Sequence, residues 1–317
     1  MQRRSHEDGS VHTRTQSALG TPLERRYRRI SVRRLSGSLG AEIHGVDLTR
    51  ELDEETFAEI ERAFEENLFV AFRSQDISAE QHVAFARRFG PVMTDRFMKG
   101  PAGFPEIIEV VKEAHEKVAF GSVQWHSDNS FLDRPPMMSL LHAKELPPFG
   151  GDTEFANQYL AYATLSEGLR AQLDRMTAVH TPEPYQRALK EEAFKGKVMQ
   201  MNDEREVRET LQTASEHPVV RVHPGTGKRA LYVNSTYVKR FSGWTEAESK
   251  PLLDYLSRHA VTPCFACRFS WTAHDLLLWD NRCLQHIAID DYDGYRRRMH
   301  RVTVEGDKPR GPFEICE

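Results

Sequence analysis

Trp125-His126-Ser127-Asp128 places an imidazole and a carboxylate two residues apart in the sequence. Successive side chains of a β-strand point to opposite faces, so a strand here would put His126 and Asp128 on the same face. This pair supplies two of the three ligands of a 2-His-1-carboxylate triad, which holds non-haem Fe(II) and leaves coordination positions open. The stretch therefore predicts a metal site on a strand.

The third metal ligand has to come from a distant part of the chain, and His286 is the best candidate. It ends the segment Trp279-Asp280-Asn281-Arg282-Cys283-Leu284-Gln285-His286. Four arginines follow it closely: Arg296, Arg297, Arg298 and Arg301. A guanidinium beside a metal suits a bidentate 2-oxo acid, because the metal takes one end and arginine pairs with the distal carboxylate. The pattern thus predicts Fe(II) next to an arginine that binds a keto acid.

Composition and charge exclude several classes of protein. The 317 residues carry a formal net charge of −4, with 39% hydrophobic and 28% charged residues, as ordinary globular domains do. The near-neutral charge argues against nucleic-acid binding, and no apolar run approaches the ~18 residues of a membrane span. The N-terminal residues lack the apolar core of a signal peptide. The four cysteines fit a reducing compartment, so a cytoplasmic location is expected.

Helix signals come early in the chain, and strand signals dominate the rest. Asp53 and Ser78 each precede an apolar repeat of helical period, which predicts two N-capped helices. Further helical spacing occurs at 161–176 and 245–259, and a hairpin is predicted at 217–234. Strand-like runs lie at 30–35, 68–72, 107–111, 267–271, 276–279 and 299–304. This order predicts a mainly β protein, a double-sheet jelly roll with flanking helices.

Domain boundaries follow from the same patterns. Residues 1–29 are polar and basic, and we expect a flexible, solvated tail there; a contact with an acidic partner or a membrane surface is the alternative. Residues 30–310 form one predicted domain, and 311–317 form a short C-terminal tail. Two irregular stretches near 92–122 and 183–216 are predicted lid loops over the site, or else plain surface connections.

Other chemistry-bearing residues have structural interpretations. Cys264 and Cys267 form a CxxC pattern without the further ligands of a zinc site, so we expect two buried thiols at the entry to a strand. His217 and His223 flank a predicted hairpin strand and are expected to be structural. Three further histidines stand alone in the sequence, and for each we expect an ordinary core or surface role: His180, His259 and His300. The chain also lacks the G-x-S-x-G, G-x-G-x-x-G and Walker patterns.

Four motifs occur in order along the chain. They are Gly40-Ala41-Glu42-Ile43 to Asp47-Leu48-Thr49, Trp125-His126-Ser127-Asp128, Gly150-Gly151-Asp152-Thr153, and Trp279-Asp280-Asn281-Arg282 to His286 with Arg297 and Arg301. Together they resemble the taurine dioxygenase family (TauD/TfdA), whose members are Fe(II)- and 2-oxoglutarate-dependent oxygenases. The resemblance covers residues 30–308. It implies a double-stranded β-helix with a cupin-like core, which agrees with the jelly roll predicted above.

The resemblance implies a role for each matching position. His126, Asp128 and His286 would bind Fe(II), while Thr153 and Arg297 would hold the distal carboxylate of 2-oxoglutarate. Substrate contacts are implied for Arg301, the backbone N–H of Asn129, and Tyr237. Three open metal positions would take the keto acid and O₂. Hydroxylation of a small organic acid, with release of succinate and CO₂, is the expected outcome, and the carboxylate ligand argues against halogenation.

One loop departs from the sulfonate-cleaving relatives, which place a substrate-binding histidine after an early Phe-Gly. Here Phe89-Gly90-Pro91-Val92-Met93-Thr94-Asp95 puts a carboxylate at that position, and Met98 replaces a polar aromatic. A carboxylate repels a sulfonate, so taurine is predicted to be a poor substrate. Either Asp95 binds a cationic or hydroxyl group of the substrate, or it faces solvent while Arg301 binds a carboxylate in an apolar pocket. Met98, Phe97 and Tyr237 favour the second alternative.

Two other functions stay open from the sequence. The same fold and cofactors are compatible with desaturation, epimerisation or decarboxylation, and a jelly-roll binding protein without activity is the non-enzymatic alternative. The intact HxD pair, distal histidine and arginine speak against that last reading. Family relatives are often dimers or tetramers, so a homo-oligomer is expected, with a small organic acid as substrate and neither nucleic acid nor membrane as partner.

Overall fold

A computed structural model describes residues 27–95, 100–119, 121–122, 124–188 and 209–313. Several sequence predictions lie outside these ranges: most of the N-terminal tail, Phe97 and Met98, the middle of the second predicted lid, and the end of the C-terminal tail. The described part contains fifteen strands and six α-helices, so the predicted mainly β class with flanking helices is confirmed.

The strands are distributed along the whole described chain. They are β1 (Ser31–Arg34), β2 (Ala41–His44), β3 (Phe69–Phe72), β4 (Ile107–Lys112), β5 (Met138–Glu145), β6 (Thr153–Asn157), β7 (Thr177–His180), β8 (Ser215–Pro218), β9 (Val220–Val222), β10 (Arg229–Leu231), β11 (Val238–Phe241), β12 (Ala266–Phe269), β13 (Leu276–Asp280), β14 (Leu284–Ala288) and β15 (Arg297–Val304). Each strand-like run predicted from the sequence overlaps one of them.

The helices begin where the sequence supplies caps. They are α1 (Glu54–Asn67), α2 (Ala79–Arg87), α3 (Gln158–Ala163), α4 (Glu167–Leu173), α5 (Glu183–Ala188) and α6 (Glu246–Ala260). Both predicted caps are confirmed: the Asp53 side chain accepts the Thr56 N–H, and Ser78 forms a capping box with Gln81. Each cap satisfies an otherwise unpaired N–H and stabilises its helix by roughly 1 kcal/mol.

The single helix predicted at 161–176 is wrong in its extent, because the chain breaks it into α3 and α4. The Thr164 hydroxyl bonds back to the Leu160 carbonyl at the end of α3, and the Ser166 side chain caps α4 through the Leu169 N–H. Side chains that compete for backbone hydrogen bonds in this way favour a break. The apolar period continues across the break because both helices pack on the same core.

The largest sheet has seven strands in the order β1-β2-β3-β13-β5-β15-β4. Its neighbouring strands are antiparallel except for β2 and β3, which are parallel. The central strands are buried on both faces, which explains the continuous apolar run Leu276-Leu277-Leu278-Trp279 in β13. Alternate residues of these strands pack against α1 and α2 on one side and against a second sheet on the other.

The second sheet has three strands in the order β12-β6-β14, and it faces the large sheet across one core. Leu141, Trp279 and Met299 come from the large sheet and meet Phe155 and Leu284 of the small one. Burying each such side chain stabilises the fold by about 1.5–3 kcal/mol. Two largely antiparallel sheets packed over a shared core form a jelly roll, so the predicted fold is confirmed.

A third sheet, β11-β7-β8, packs with the β9–β10 hairpin and α6 on a separate apolar cluster. The predicted hairpin at 217–234 is therefore too long: residues 220–231 form it, while His217 belongs to β8 and pairs with Ala178 of β7. Among the described residues, every helix is too short or too polar to cross a lipid bilayer.

Candidate metal centre and co-substrate site

His126 and His286 are joined by an isolated β-bridge. The His126 N–H donates to the His286 carbonyl at 3.0 Å, and the His286 N–H donates to the His126 carbonyl at 2.8 Å. Because His286 lies in β14, the small sheet fixes its position, and the bridge in turn fixes His126. The two imidazole centroids are 4.3 Å apart. The fold thus brings together two histidines that are distant in sequence.

Asp128 lies in a turn directly after this bridge, so the strand predicted over residues 125–128 is wrong. In this stretch His126 alone pairs in β fashion, and the chain turns from Asp128 onward. The Asn281 side chain accepts the Asp128 N–H at 3.2 Å and takes the place of a strand partner. The carboxylate still reaches both imidazoles: Asp128 Oδ1 lies 3.8 Å from Nε2 of His126 and from Nε2 of His286.

The three side chains form a compact group of possible metal ligands. All three are buried, and their ligand atoms lie within 4.8 Å of one another. One ion placed among His126 Nε2, Asp128 Oδ1 and His286 Nε2 can therefore contact all three. Two imidazoles and one carboxylate on a single side of the ion are the donor set of a facial triad, so the residues present fit Fe(II).

A second buried group, His223, Asp280 and Cys283, has similar spacing. Its polar atoms are already engaged, however. His223 Nε2 bonds Asp280 at 2.9 Å, and its Nδ1 accepts two backbone N–H groups. Arg282 donates to both oxygens of the Asp280 carboxylate. This group is a structural network, which agrees with the structural role expected for His223.

The imidazoles of the first group are held in the neutral form that binds metals. Burial lowers the pKa of His126, and burial together with His126 lowers the pKa of His286 to about 3. His126 Nδ1 lies 2.9 Å from the Gln124 carbonyl, to which its N–H donates, so Nε2 keeps its lone pair. Burial alone would raise the pKa of Asp128, but the charge of the Arg301 guanidinium, with the Ser139 hydrogen bond, holds it well below its ordinary value.

Arg297 is a buried guanidinium whose Nε and Nη2 make no hydrogen bond within the described part of the chain. Burial lowers its pKa. A buried charge without a partner is costly, so this position suits a bound anion. Gly151 lies against it, since a Cβ there would come within 3.2 Å of the Arg297 Cδ and Nε. Trp271 lies 5.8 Å from the guanidinium and donates its indole N–H to Thr153 at 3.1 Å, which links the two predicted keto-acid ligands.

The four arginines of the C-terminal region have different environments. Arg296, directly before β15, and Arg298 within it are partly exposed and pair with partly exposed glutamates. Arg297 and Arg301 are buried on the inner face. Of the four guanidinium groups, those of Arg297 and Arg301 therefore lie inside the jelly roll, where a bound ligand can reach them.

Arg301 contacts the metal-binding group directly, because its Nη1 donates to Asp128 Oδ1 at 3.2 Å. Asn129 follows with a φ of 45°, a left-handed conformation that turns the chain away from the bridge. Its side-chain oxygen accepts the Tyr185 hydroxyl at 2.8 Å. The Tyr237 ring centroid lies 6.4 Å from that of His126. These side chains form one wall beside the group.

Asp95 is half-buried and borders, together with Asn129, a cavity of about 950 Å³. Burial and the charge of Asp95 both raise the pKa of Tyr185. Burial opposes the charged form of Arg301, but Asp128 and then Asp95 raise its pKa above the ordinary value. The charge of the Asp95 carboxylate therefore influences Tyr185 and Arg301, two of the side chains beside the metal-binding group. The other predicted substrate residue of this loop, Met98, lies outside the described residues.

Three side chains at the site escaped the sequence analysis. Tyr185 lies in α5 and donates to Asn129, and Trp271 contacts Thr153 and Arg297. Ser139 of β5 donates to Asp128 Oδ2 at 2.7 Å. No pattern in the sequence marks them, since each reaches the site through strand pairing or packing. Asn281 had a signal, because it stands inside the motif that ends at His286.

A jelly roll that encloses a His-Asp-His group beside a buried arginine defines a class, the non-haem iron oxygenases that depend on a keto acid. The family model described as taurine catabolism dioxygenase TauD, TfdA family matches residues 31–303. The chain belongs to this family. Its membership confirms the predicted class, a dioxygenase that uses Fe(II), 2-oxoglutarate and O₂.

Individual relatives cover nearly all of the chain. An alpha-ketoglutarate-dependent sulfate ester dioxygenase of Pseudomonas putida is 33% identical over 283 residues, which are 89% of this chain and 91% of that protein. An alpha-ketoglutarate-dependent 2,4-dichlorophenoxyacetate dioxygenase of Cupriavidus pinatubonensis is 32% identical over 84% of this chain and 94% of that protein. The solved structure of a taurine dioxygenase from Burkholderia xenovorans superimposes with a TM-score of 0.75 at 38% identity, covering 90% of this chain and 94% of that one.

Proposed function

We propose that this chain is an Fe(II)- and 2-oxoglutarate-dependent dioxygenase that hydroxylates a small organic acid, a carboxylate rather than taurine. His126, Asp128 and His286 hold Fe(II). The observation that carries the proposal is the convergence of these three buried donors to within 4.8 Å of one another. When bound, Fe(II) with 2-oxoglutarate and O₂ supplies the oxidation that inserts one oxygen atom into a C–H bond and releases succinate and CO₂.

Arg297 and Thr153 bind the distal carboxylate of 2-oxoglutarate. The support is the buried Arg297 guanidinium, whose Nε and Nη2 lack partners among the described residues. A carboxylate there would receive charge-assisted hydrogen bonds, which are roughly twice as strong as neutral ones. Trp271 holds the Thr153 hydroxyl in place through its indole N–H.

Arg301, the backbone N–H of Asn129 and Tyr237 orient the substrate. Arg301 has a double task, since it also donates to the metal-facing oxygen of Asp128 and keeps that carboxylate ionised. The left-handed turn at Asn129 brings the chain past the metal group and next to the cavity. Tyr237 contributes an aromatic wall beside His126.

The position of Asp95 bears on the choice between the two substrate alternatives. It is half-buried beside the cavity, and its charge acts on Arg301 and Tyr185. This placement supports the alternative in which Asp95 binds a cationic or hydroxyl group, and it weakens the one in which Asp95 faces solvent. We therefore favour a carboxylic acid that also carries an amine or hydroxyl group.

A substrate panel scored by succinate release tests this choice. Taurine, an alkyl sulfate, an aryloxyacetate and several amino or hydroxy acids would be compared in the wild type and in Asp95→Asn. We expect the highest kcat/KM for an amino or hydroxy acid, and a selective loss of that activity in Asp95→Asn. An aryloxyacetate preference that Asp95→Asn leaves unchanged would establish the other alternative, and strong taurine turnover would refute both.

The alternative functions require different measurements. Product mass separates hydroxylation, which adds one oxygen, from desaturation, which removes two hydrogens. An anaerobic titration with Fe(II) and 2-oxoglutarate separates an enzyme from a binding protein, because the chelate gives a visible metal-to-ligand charge-transfer band. We expect that band, saturating at one Fe(II) per chain, and its absence would leave the binding protein as the better account.

The assembly and the location of the protein are part of the same proposal. We infer one catalytic domain over residues 30–310, with lids near 92–122 and 183–216, in a cytoplasmic homo-oligomer. Cysteine usage supports the reducing compartment, since Cys267 and Cys283 are buried thiols without a disulfide. Light scattering on the purified chain tests the oligomer, and a monomeric mass would contradict it.

A further inference from the structure

The two oxygens of the Asp128 carboxylate have different surroundings. Oδ1 faces the two imidazoles at 3.8 Å and Arg301 at 3.2 Å. Oδ2 accepts the Ser139 hydroxyl at 2.7 Å. Ser139 therefore holds one oxygen of the carboxylate, while the other faces the imidazoles and Arg301. Ser139 is fully buried, so water does not replace this hydrogen bond.

The hydrogen bonds behind Ser139 run in one direction only. The Trp279 indole N–H, which can only donate, bonds Asn281 Oδ1 at 3.0 Å, and the Asp128 backbone N–H bonds the same oxygen at 3.2 Å. The Asn281 amide nitrogen must then face Ser139, to whose Oγ it donates at 3.3 Å. Ser139 accepts this bond and gives its own proton to Asp128. We call this chain of hydrogen bonds, from Trp279 through Asn281 and Ser139 to Asp128, the relay. Its direction is fixed because one end is an obligatory donor and the other is an ionised acceptor.

The relay is built into the centre of the largest sheet. Trp279 and Ser139 are register partners on the adjacent strands β13 and β5, at the centre of the seven-stranded sheet. Trp279, Ser139 and Asn281 are all buried. Asn281 follows β13 directly, so the sheet positions all three residues before any ligand binds.

We propose that Ser139 and Asn281 are positioning residues that make Asp128 a one-oxygen metal ligand. By occupying Oδ2, Ser139 prevents the carboxylate from rotating onto a second coordination position, one that a bidentate keto acid needs. Asn281 acts through Ser139 and through the Asp128 backbone N–H. This inference rests on the metal site of the proposed function and assigns its preorganisation to residues outside the triad.

Metal binding to the protein without keto acid tests this role independently of activity. Co(II) titrations, followed by the visible absorption of the metal, would compare the wild type, Ser139→Ala and Ser127→Ala. Ser127 is a matched control, because it is a buried serine next to Asp128 whose hydroxyl donates to the Leu284 carbonyl at 2.7 Å and not to the carboxylate. We expect about 10- to 100-fold weaker Co(II) binding and an altered Co(II) spectrum in Ser139→Ala alone.

Asn281→Ala provides a second test that keeps the serine. We expect weaker Co(II) binding here as well, and in the double variant a loss smaller than the product of the two single losses, because both residues act on one carboxylate. The metal-induced rise in melting temperature reports the same loss even if a variant is less stable. Wild-type affinity and spectrum in Ser139→Ala would overturn the positioning role alone, whereas a wild type that binds no metal would overturn the proposed function.

Discussion

At the residue scale, burial determines which of several similar side chains can take part in the chemistry. Four arginines follow His286, but Arg296 and Arg298 are partly exposed and paired with glutamates. Arg297 is buried with donors that lack partners in the described structure, and Arg301 is buried against Asp128. Alternation along β15 accounts for the opposite environments of the neighbours Arg297 and Arg298.

Arg297→Ala is expected to raise the 2-oxoglutarate requirement without preventing metal binding. Losing charge-assisted hydrogen bonds costs about 1.5–3 kcal/mol, which corresponds to roughly 10- to 150-fold weaker binding. An anaerobic titration of the Fe(II) complex with 2-oxoglutarate measures it. Arg298→Ala serves as the control, because it removes an arginine from the opposite face. Equal affinity in the two variants would show that another arginine binds the keto acid.

His286→Ala is expected to abolish turnover and to weaken Fe(II) binding strongly, and His126→Ala should do the same. Each variant removes one of the three converging donors, so only two protein ligands remain for the ion and the facial triad is incomplete. Succinate release and Fe(II) retention after gel filtration measure the two effects. His223→Ala, in the structural network, is the comparison variant: it should bind Fe(II) normally if it folds. Full turnover in His286→Ala would rule out that histidine as a ligand.

At the element scale, the turn before β6 shapes the pocket for Arg297. Gly151 has a φ of +70°, and a Cβ there would come within 3.2 Å of the arginine side chain. The Gly-Gly pair in the sequence therefore serves both the turn and the close approach of the chain to a buried guanidinium. A larger residue at position 151 has to displace either the turn or the Arg297 side chain.

Gly151→Ala is expected to destabilise the fold by about 1–2 kcal/mol and to raise the 2-oxoglutarate requirement. Gly227→Ala is a matched control, since Gly227 has a φ of +67° but nothing within 4 Å of an added Cβ. Both variants carry the cost of a left-handed alanine, and only the first disturbs Arg297. Denaturant unfolding and keto-acid affinity measure the two effects. Identical keto-acid affinities would show that the contact with Arg297 is unimportant.

Elements differed in how far the sequence could specify them. The caps at Asp53 and Ser78 were predictable because the capping residue and its helix are adjacent in sequence. The strand at 125–128 was not, because Asp128 turns toward Asn281, a partner supplied by another part of the fold. The triad was found from its chemistry, whereas Ser139 and Tyr185 were missed because only tertiary packing brings them to it.

At the scale of the whole molecule, several buried histidines make stability sensitive to acid. Burial lowers the pKa of His142 and of His217 to about 4, and that of His286 to about 3. An unfolded histidine binds a proton near pH 6.5, so below that pH the unfolded state gains protons that the folded state excludes. The stabilising contribution is complete above about pH 6.5 and is lost as the pH falls toward 4.

The metal-free protein is therefore expected to lose stability steeply between pH 7 and pH 5. His142 alone should contribute roughly 2 kcal/mol to this loss. In His142→Gln the decrease in the free energy of unfolding over the same interval should be smaller by about that amount. His115→Gln replaces an exposed histidine and is the control. Urea unfolding at a series of pH values measures the effect, and parallel curves for the wild type and His142→Gln would contradict it.

The central claim concerns one ion held by three distant side chains beside a buried arginine. An anaerobic crystal structure of the complex with Fe(II) and 2-oxoglutarate tests it most directly. We predict iron bound by His126 Nε2, Asp128 Oδ1 and His286 Nε2, with the distal carboxylate of the keto acid on Arg297. Iron bound elsewhere, or a keto acid whose distal carboxylate pairs with a different residue, would contradict this account.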